Sequence, residues 1–430
     1  MADRTSLWLR PLAFGIRWSP LAWLLGASEL LTIAAVLVSS VALVRSPWTR
    51  LQWPAVTMAA FLLTGVGALT WAIARGAPTE RAVAALFNLA VWTLGFLVWL
   101  VVRSHDRTSD RRMLLRSVRD AGLWAGVAAL IALFAWSQGA RGLSFASPLA
   151  AILPDGLRHQ VPAILASAVA PIVYRLDWFF DTAVPRLQAF HPYPNALALT
   201  SSLAVVAHFA LRGLRGTEVG RGRARHLAVL ALLALPLVLT WSRTTLLAFG
   251  AVGLFALVLQ LVPKGGRSFV AASMAWFAIV IVSATVLTPS VATEAVSSVN
   301  DARAGSTATR FNLYAATWAL AMERPWVGYG IKPRTEAMSI PIGSHSTLFG
   351  TALKSGVVGL SLLVTWLVVL SVRSLWAMLA GGRAERALAV GVLVIVAWSL
   401  IEDLDAPVAA AVQAFTIIGL LFHRHDRPPS

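Results

Sequence analysis

The sequence contains no cysteine. Disulfides, thiolate metal sites and a cysteine nucleophile are thereby excluded, and nothing marks the redox compartment. Charge is scarce too: 13% of the 430 residues are charged against 58% hydrophobic, and the long apolar blocks are almost free of it. That is the composition of a bilayer-embedded chain rather than of a soluble core. Acidic residues are the rarer sign, 19 against 36 Lys and Arg, giving a formal charge of +17. Arginine-rich cytoplasmic connections account for this excess, so no nucleic-acid partner is expected. There is also no fixed-period repeat, no low-complexity linker and no cleavable signal pattern after the first apolar block. One membrane domain spanning 1–430 is the simplest organisation.

A hydrocarbon core about 30 Å thick takes roughly 20 residues of helix to cross. Eleven blocks qualify or nearly qualify: Pro20 to Val44, Trp53 to Ala74, Ala82 to Val102, Ala121 to Ser137, Asn195 to Leu211, Leu227 to Trp241, Thr244 to Val262, Ser268 to Leu287, His345 to Val372, Ala387 to Leu404 and Ala406 to Phe422. Leu7 to Trp18 is interrupted by Arg10 and Arg17 and reads as an interfacial helix, or a twelfth span. The expected fold is therefore an all-α polytopic membrane protein of 11 to 12 transmembrane helices.

Arginine decides the orientation. Connections containing Arg45, Arg103 to Arg119, Arg212 to Arg225, Lys264 and Arg267, Arg373 to Arg386, and Arg424 with Arg427 alternate with two long, arginine-poor loops at 139–194 and 288–344. The basic set belongs in the cytoplasm and the two long loops face outward. Eleven spans would then put the N-terminus outside, where Arg4, Arg10 and Arg17 break the rule.

In the first outward loop, Ser147 to Pro154 and Val161 to Phe180 are apolar runs broken by proline and charge. They read as interfacial or re-entrant segments. In the second, Phe311, Ala315, Trp318 and Met322 recur at three and four and predict an amphipathic helix over 309–323. Ser306 or Thr307 could cap it, Pro325 stops it, and Gly328 and Gly330 mark a turn.

Four stretches carry a resemblance. They are His191-Pro-Tyr-Pro-Asn195, Trp241-Ser-Arg-Thr-Thr245, Thr309-Arg-Phe-Asn-Leu-Tyr-Ala-Ala-Thr-Trp318 running into Pro325-Trp-Val-Gly-Tyr-Gly330, and Gly343-Ser-His-Ser-Thr-Leu348 running into Gly356-Val-Val-Gly359. In order and in outward placement they resemble the O-antigen ligase and O-antigen polymerase superfamily of bacterial envelope polysaccharide enzymes. The resemblance covers about Phe190 to Leu360. It implies a GT-C-like glycosyltransferase architecture in the bacterial inner membrane, with the active site outward. The implied donor is an undecaprenyl-diphosphate-linked glycan. The acceptor is a lipid A core glycan for a ligase, or another lipid-linked unit for a polymerase, which would also take a chain-length regulator as partner. Two positions depart from the pattern: Ser346, where asparagine usually follows the histidine, and Lys354, where an acid is frequent.

The resemblance places the functional residues on Arg243, Arg310 and His345, and the chemistry suits them. A departing diphosphate gathers negative charge that fixed cations must meet, and arginine holds two phosphate oxygens without losing its proton. Arg243, on a short outward turn, is placed for that role or for snorkelling to lipid phosphate. Arg310 opens the loop helix. Arg324 lies about 21 Å further along it, too far to share one diphosphate. Arg303, Arg324 and Asn195 are the expected substrate-binding residues, with solvated loop charge the alternative for both arginines. A neutral His345 at the membrane boundary could take the acceptor's proton, or be merely interfacial. Single displacement of this kind inverts the anomeric carbon.

No cofactor and no metal are expected. Asp403-Leu-Asp405, preceded by Glu402, reads as solvated acid at an outward turn rather than as a cation site. Lys354, about 13 Å below the outer boundary, needs a counter-ion, and Glu29 at similar depth is its expected partner. The rival function is a transporter or flippase of lipid-linked oligosaccharide, which would show symmetry between halves and interrupted helices near the midplane. A membrane scaffold would leave the outward motifs without a role.

Overall fold

The computed structural model describes residues 4–45, 53–105, 107–152, 168–179, 182–214, 223–266, 304–334 and 341–422. The helices before the first long loop are α1 (Arg4–Leu24), α2 (Ser28–Arg45), α3 (Trp53–Ala74), α4 (Thr79–Arg103) and α5 (Thr108–Ser137). The loop itself holds β1 (Gly142–Ser144), α6 (Pro148–Ile152), β2 (Ile172–Phe179) and β3 (Thr182–Leu187). Then follow α7 (Pro194–Gly213), α8 (Arg223–Leu239), α9 (Arg243–Leu261), α10 (Ala304–Glu323), α11 (Thr347–Ala380), α12 (Arg383–Ile401) and α13 (Val408–Leu421). The protein is an all-α polytopic membrane protein. Among the described residues, seven helices, α3, α4, α5, α7, α9, α11 and α12, are long and apolar enough to cross a bilayer, and Ser28–Val44 and Val408–Leu421 are shorter apolar helices. The expected span at Ser268 to Leu287 lies outside the described residues.

Burial separates centre from rim. In α7, 78% of the apolar window is buried inside the bundle, against 17% in α9, so α7 is a core helix and α9 a lipid-facing one. Lipid tails are as apolar as leucine, so helices associate here by close packing of small residues. Accordingly α7 is rich in Ala and Ser, and a Cβ added at Gly122 of α5 would stand 2.3 Å from the Ala204 methyl. At Gly95 of α4 it would strike the Phe415 ring of α13 at 2.4 Å. Around that contact Trp92, Trp366 and Phe415 pack with centroids 5.6–6.3 Å apart, and Trp99 joins them at 6.3 Å from Trp366.

The first apolar block is not one span. The chain turns at Leu25-Gly26-Ala27, with Gly26 at φ 79, and Leu7 to Trp18 belongs to a 21-residue helix packed on α2 and α5. The turn lies against the first long loop, where the Leu149 amide donates to the Leu25 carbonyl at 3.3 Å. Partway along α1, Arg17 pairs with Asp120 of α5 at 3.2 Å.

The first loop also departs from expectation. Instead of a re-entrant segment, Ile172–Phe179 forms the middle strand of an antiparallel sheet ordered β1-β2-β3. Its β-branched and aromatic residues favour that state, and Pro185, which lacks an N–H, sits on the edge strand β3. Residues 153–167 lie outside the described residues.

Helix α10 begins before the expected 309, so Ser306 and Thr307 are inside it rather than caps. It ends at Glu323, ahead of Pro325 as expected. Its buried line is Leu313, Thr317 and Ala321, while Trp318 and Met322 are about half exposed. The expected apolar face thus points away from the bundle.

Candidate active site at the arginine-poor end

Helix α12 ends at Ile401, and the chain turns through Glu402-Asp-Leu-Asp405 into α13. Thr347, the first residue of α11, fastens that turn. Its amide and its hydroxyl both donate to the Glu402 carbonyl, at 3.1 and 2.7 Å, and its oxygen accepts from the Leu404 amide at 3.0 Å. Ser346 caps α11 through Phe349 at 3.3 Å and donates to the Leu400 carbonyl at 2.8 Å. The departure from asparagine at this position is therefore filled by a capping hydroxyl.

His345 is held by its backbone. It adopts φ 64, in the left-handed region that non-glycine residues seldom occupy. Its amide donates to Asp403 Oδ2 at 3.1 Å, and its carbonyl accepts from the Tyr314 hydroxyl of α10 at 2.6 Å. The imidazole is one-third exposed, with Nδ1 3.8 Å from Oε2 of Glu402, whose side chain is 3% exposed. The other Glu402 oxygen accepts from the Asn195 amide at 2.5 Å. Asn195, expected to bind substrate, is thus engaged within the protein.

Behind this pair lies a buried ionic cluster. Lys332 Nζ donates to Asp403 Oδ2 at 3.0 Å and stands 4.0 Å from Asp405 Oδ1, and Lys354 donates to Asp405. The Arg81 side chain donates to the Lys332 carbonyl at 2.8 Å, and Asn88 to the Asp405 carbonyl at 2.7 Å. Burial pushes the Asp405 carboxyl up, but Lys354 and Lys332 outweigh it and hold the group below the usual carboxylate range. Burial pushes Lys332 down, yet Asp403 and Asp405 prevail and raise it. Tyr193 donates to the Asp403 carbonyl at 3.2 Å; burial first, then the nearby carboxylates, raise it well above the usual phenol range. Two expectations fall here. The acids are not solvated, because the turn packs under α11 and carries lysine partners. Lys354 takes Asp405, not Glu29, because the turn after α12 passes directly beside it.

Lys354 is reachable because α11 is broken. Gly356 adopts φ 61, ψ −164 in mid-helix. Carbonyls freed at the break, Leu353 and Lys354, accept from the Tyr329 and Gly330 amides at 2.8 and 2.9 Å, and the Val357 amide donates to the Pro325 carbonyl at 2.6 Å. The Pro325 to Gly330 and Gly356 to Gly359 stretches are therefore two halves of one structure. Non-helical backbone at membrane depth persists only where protein satisfies it in this way.

The turn carrying Arg243 is tied to the same end. Ser242 caps α9 and donates to Thr245 Oγ1 at 2.9 Å, which also accepts from Trp398 Nε1 at 3.1 Å, one helical turn before Glu402. Arg186 of β3 donates to the Thr240 carbonyl at 3.1 Å and pairs with Asp177 at 2.9 Å, so the sheet is fastened to this turn. Position 310 lies in α10 one turn before Tyr314. The Arg310 side chain and all of Arg303 lie outside the described residues. Arg324 is not brought to the cluster: it is exposed, with its guanidinium 4.4 Å over the Tyr329 ring.

Sequence reasoning read Glu402 as solvated acid and gave no role to Lys332, Tyr193 or Tyr314. One signal was present for the tyrosines: the chain has only four, and these two lie inside the motif stretches. For Glu402 and Lys332 the partners are 207 and 71 residues away, beyond any local pattern.

Fold and site together define a polytopic membrane protein whose polar and ionisable groups converge at the end of the bundle opposite its arginine-rich connections. Residues 228–364 match the family model described as O-antigen ligase, which supports placing the chain in the O-antigen ligase and polymerase superfamily. The matched stretch includes the Arg243 turn, His345 and the break in α11. No curated protein matches the sequence.

Proposed function

We propose that the chain is a glycosyltransferase moving a polyprenyl-diphosphate-linked glycan onto an acceptor hydroxyl at the outer face of the bacterial inner membrane. The observation that carries this reading is the convergence on one turn: His345, partly exposed, faces buried Glu402, while the Arg243 turn is hydrogen-bonded to the helix that ends there. In the reaction, an acceptor oxygen attacks the anomeric carbon while its proton passes to Nε2 of His345. The bond from that carbon to the diphosphate breaks, and its electron pair leaves on the phosphate oxygen. Arg243 and Arg310 meet the charge that gathers there. Attack opposite the leaving group inverts the centre, and no covalent glycosyl-enzyme is required. Arg303 and Arg324 remain candidates for binding donor or acceptor along the loop, whereas Asn195 acts through Glu402.

A broken helix is also a feature of transporters. Here the Pro325 to Gly330 backbone fills the break, which favours a fixed surface site over a passage.

Reconstitution with an undecaprenyl-diphosphate-linked oligosaccharide and alternative acceptors tests the reading. Glycan transfer with release of diphosphate lipid is expected, abolished by Arg243→Ala, Arg310→Ala or His345→Ala. Stepped product lengths would identify a polymerase, and a single adduct on lipid A core a ligase. Relocation of intact donor lipid without transfer would overturn the proposal.

A further inference from the structure

We infer that Glu402, held by Asn195, is the positioning residue that sets the imidazole tautomer of His345 and stabilises its protonated form. The inference rests on the proposed role of His345 as base.

Three observations combine. The His345 backbone is clamped on both sides by Asp403 and Tyr314, which fixes the point from which the ring projects. Its Nδ1 lies 3.8 Å from a carboxylate oxygen that is 3% exposed, close enough for attraction between charges when the ring takes a proton. That carboxylate cannot turn away, because Asn195 holds its other oxygen at 2.5 Å. At 3.8 Å the contact is an ion-pair approach rather than a hydrogen bond; a carboxylate on the Nδ1 side favours a proton on that nitrogen and leaves the Nε2 lone pair to the acceptor hydroxyl.

Glu402 is the charged group at the ring, while Asp403 and Tyr314 hold the His345 backbone. Behind them Lys332, Lys354 and Arg81 stand against Asp403 and Asp405, with Tyr193 beside them. The cations and the carboxylates, Glu402 included, balance at three each.

The test separates this from the base assignment. Glu402→Gln keeps the shape and removes the charge. It is expected to lower kcat at least tenfold with donor KM little changed, and to move the acid limb of the pH–rate profile down by about one pH unit. Glu402→Asp should bring the limb back. If His345→Gln turns over normally, the base assignment itself falls. If His345→Gln is inactive and Glu402→Gln loses rate with the limb unmoved, Glu402 is merely structural and the inference is overturned. A measurement on unaltered protein covers failure of the variant to fold: with 15N-labelled histidine, the signal absent from His345→Gln should report a proton on Nδ1. A proton on Nε2 overturns the inference.

Discussion

Lys354 of α11 is bonded to Asp405, 51 residues further along the chain, rather than to Glu29 of α2. This pair lies beneath the site and ties the upper segment of a broken helix to the turn before the last one. Removing one member of a buried pair strands the other charge at a cost of about 3–5 kcal/mol, whereas replacing both by neutral groups of similar volume is close to neutral. Lys354→Met and Asp405→Asn should each lower the melting temperature and yield in detergent, and the double variant should recover most of both. Additive losses in the double variant would contradict the pairing.

Asp405 also makes stability depend on pH. Its folded-state pKa lies below the ordinary value, so its contribution is complete above about pH 4 and is lost as pH falls below that. Thermal melts of wild type and Lys354→Met should diverge at pH 6 and converge toward pH 3.

His191 works at higher pH. It is fully buried before α7, with Nε2 3.0 Å from Thr200 Oγ1, and burial pushes its pKa from 6.5 to about 3. The unfolded chain takes up the proton first, so stability falls as pH drops from 6.5 toward 3, by about 1.4 kcal/mol per pH unit. His191→Asn should flatten the decline in melting temperature between pH 6.5 and 5. An unchanged slope would show that another group causes it.

Gly356 should tolerate no side chain. A Cβ there would sit 2.3 Å from the Trp326 carbonyl oxygen, at a backbone angle of φ 61 that disfavours every other residue. Gly356→Ala should cost on the order of 3 kcal/mol, seen as a lower melting temperature, whereas alanine at Gly250, which has open space around it, should leave the melt almost unchanged.

Tyr314→Phe removes the hydroxyl that holds the His345 carbonyl. One such bond is worth about 0.5–1.5 kcal/mol, so transfer should slow roughly 2- to 10-fold. An Arg243→Lys change should cost more, on the order of 10²-fold in kcat, because an ammonium cannot present a planar fork to two phosphate oxygens.

Hydropathy located the helices because a bilayer imposes length and apolarity on each one separately. It failed at Pro20 to Val44, where Gly26 turns the chain inside an apolar run whose single charge is Glu29. In α10 it found the period but chose the exposed face, because Leu313, Thr317 and Ala321 form a buried line that includes a polar residue. The motif histidine and the Arg243 turn were legible as local patterns. Glu402 was not, because its meaning lies in Asn195 and His345, which only the folded bundle brings together. Lys354 was recognised as needing a counter-ion, but depth alone could not choose between Glu29 and Asp405.

The distance along the chain between Lys354 and its partner has a consequence for biosynthesis. At about 5–20 residues per second of synthesis, the lysine waits roughly 3–10 s before Asp405 exists, and Lys332 waits longer for Asp403, 71 residues away. Until then the upper segment of α11 carries an uncompensated cation into an apolar phase, and the loop that docks on its break has no settled surface. The site is therefore among the last parts of the protein to form, completed only when the ribosome has passed the turn before α13.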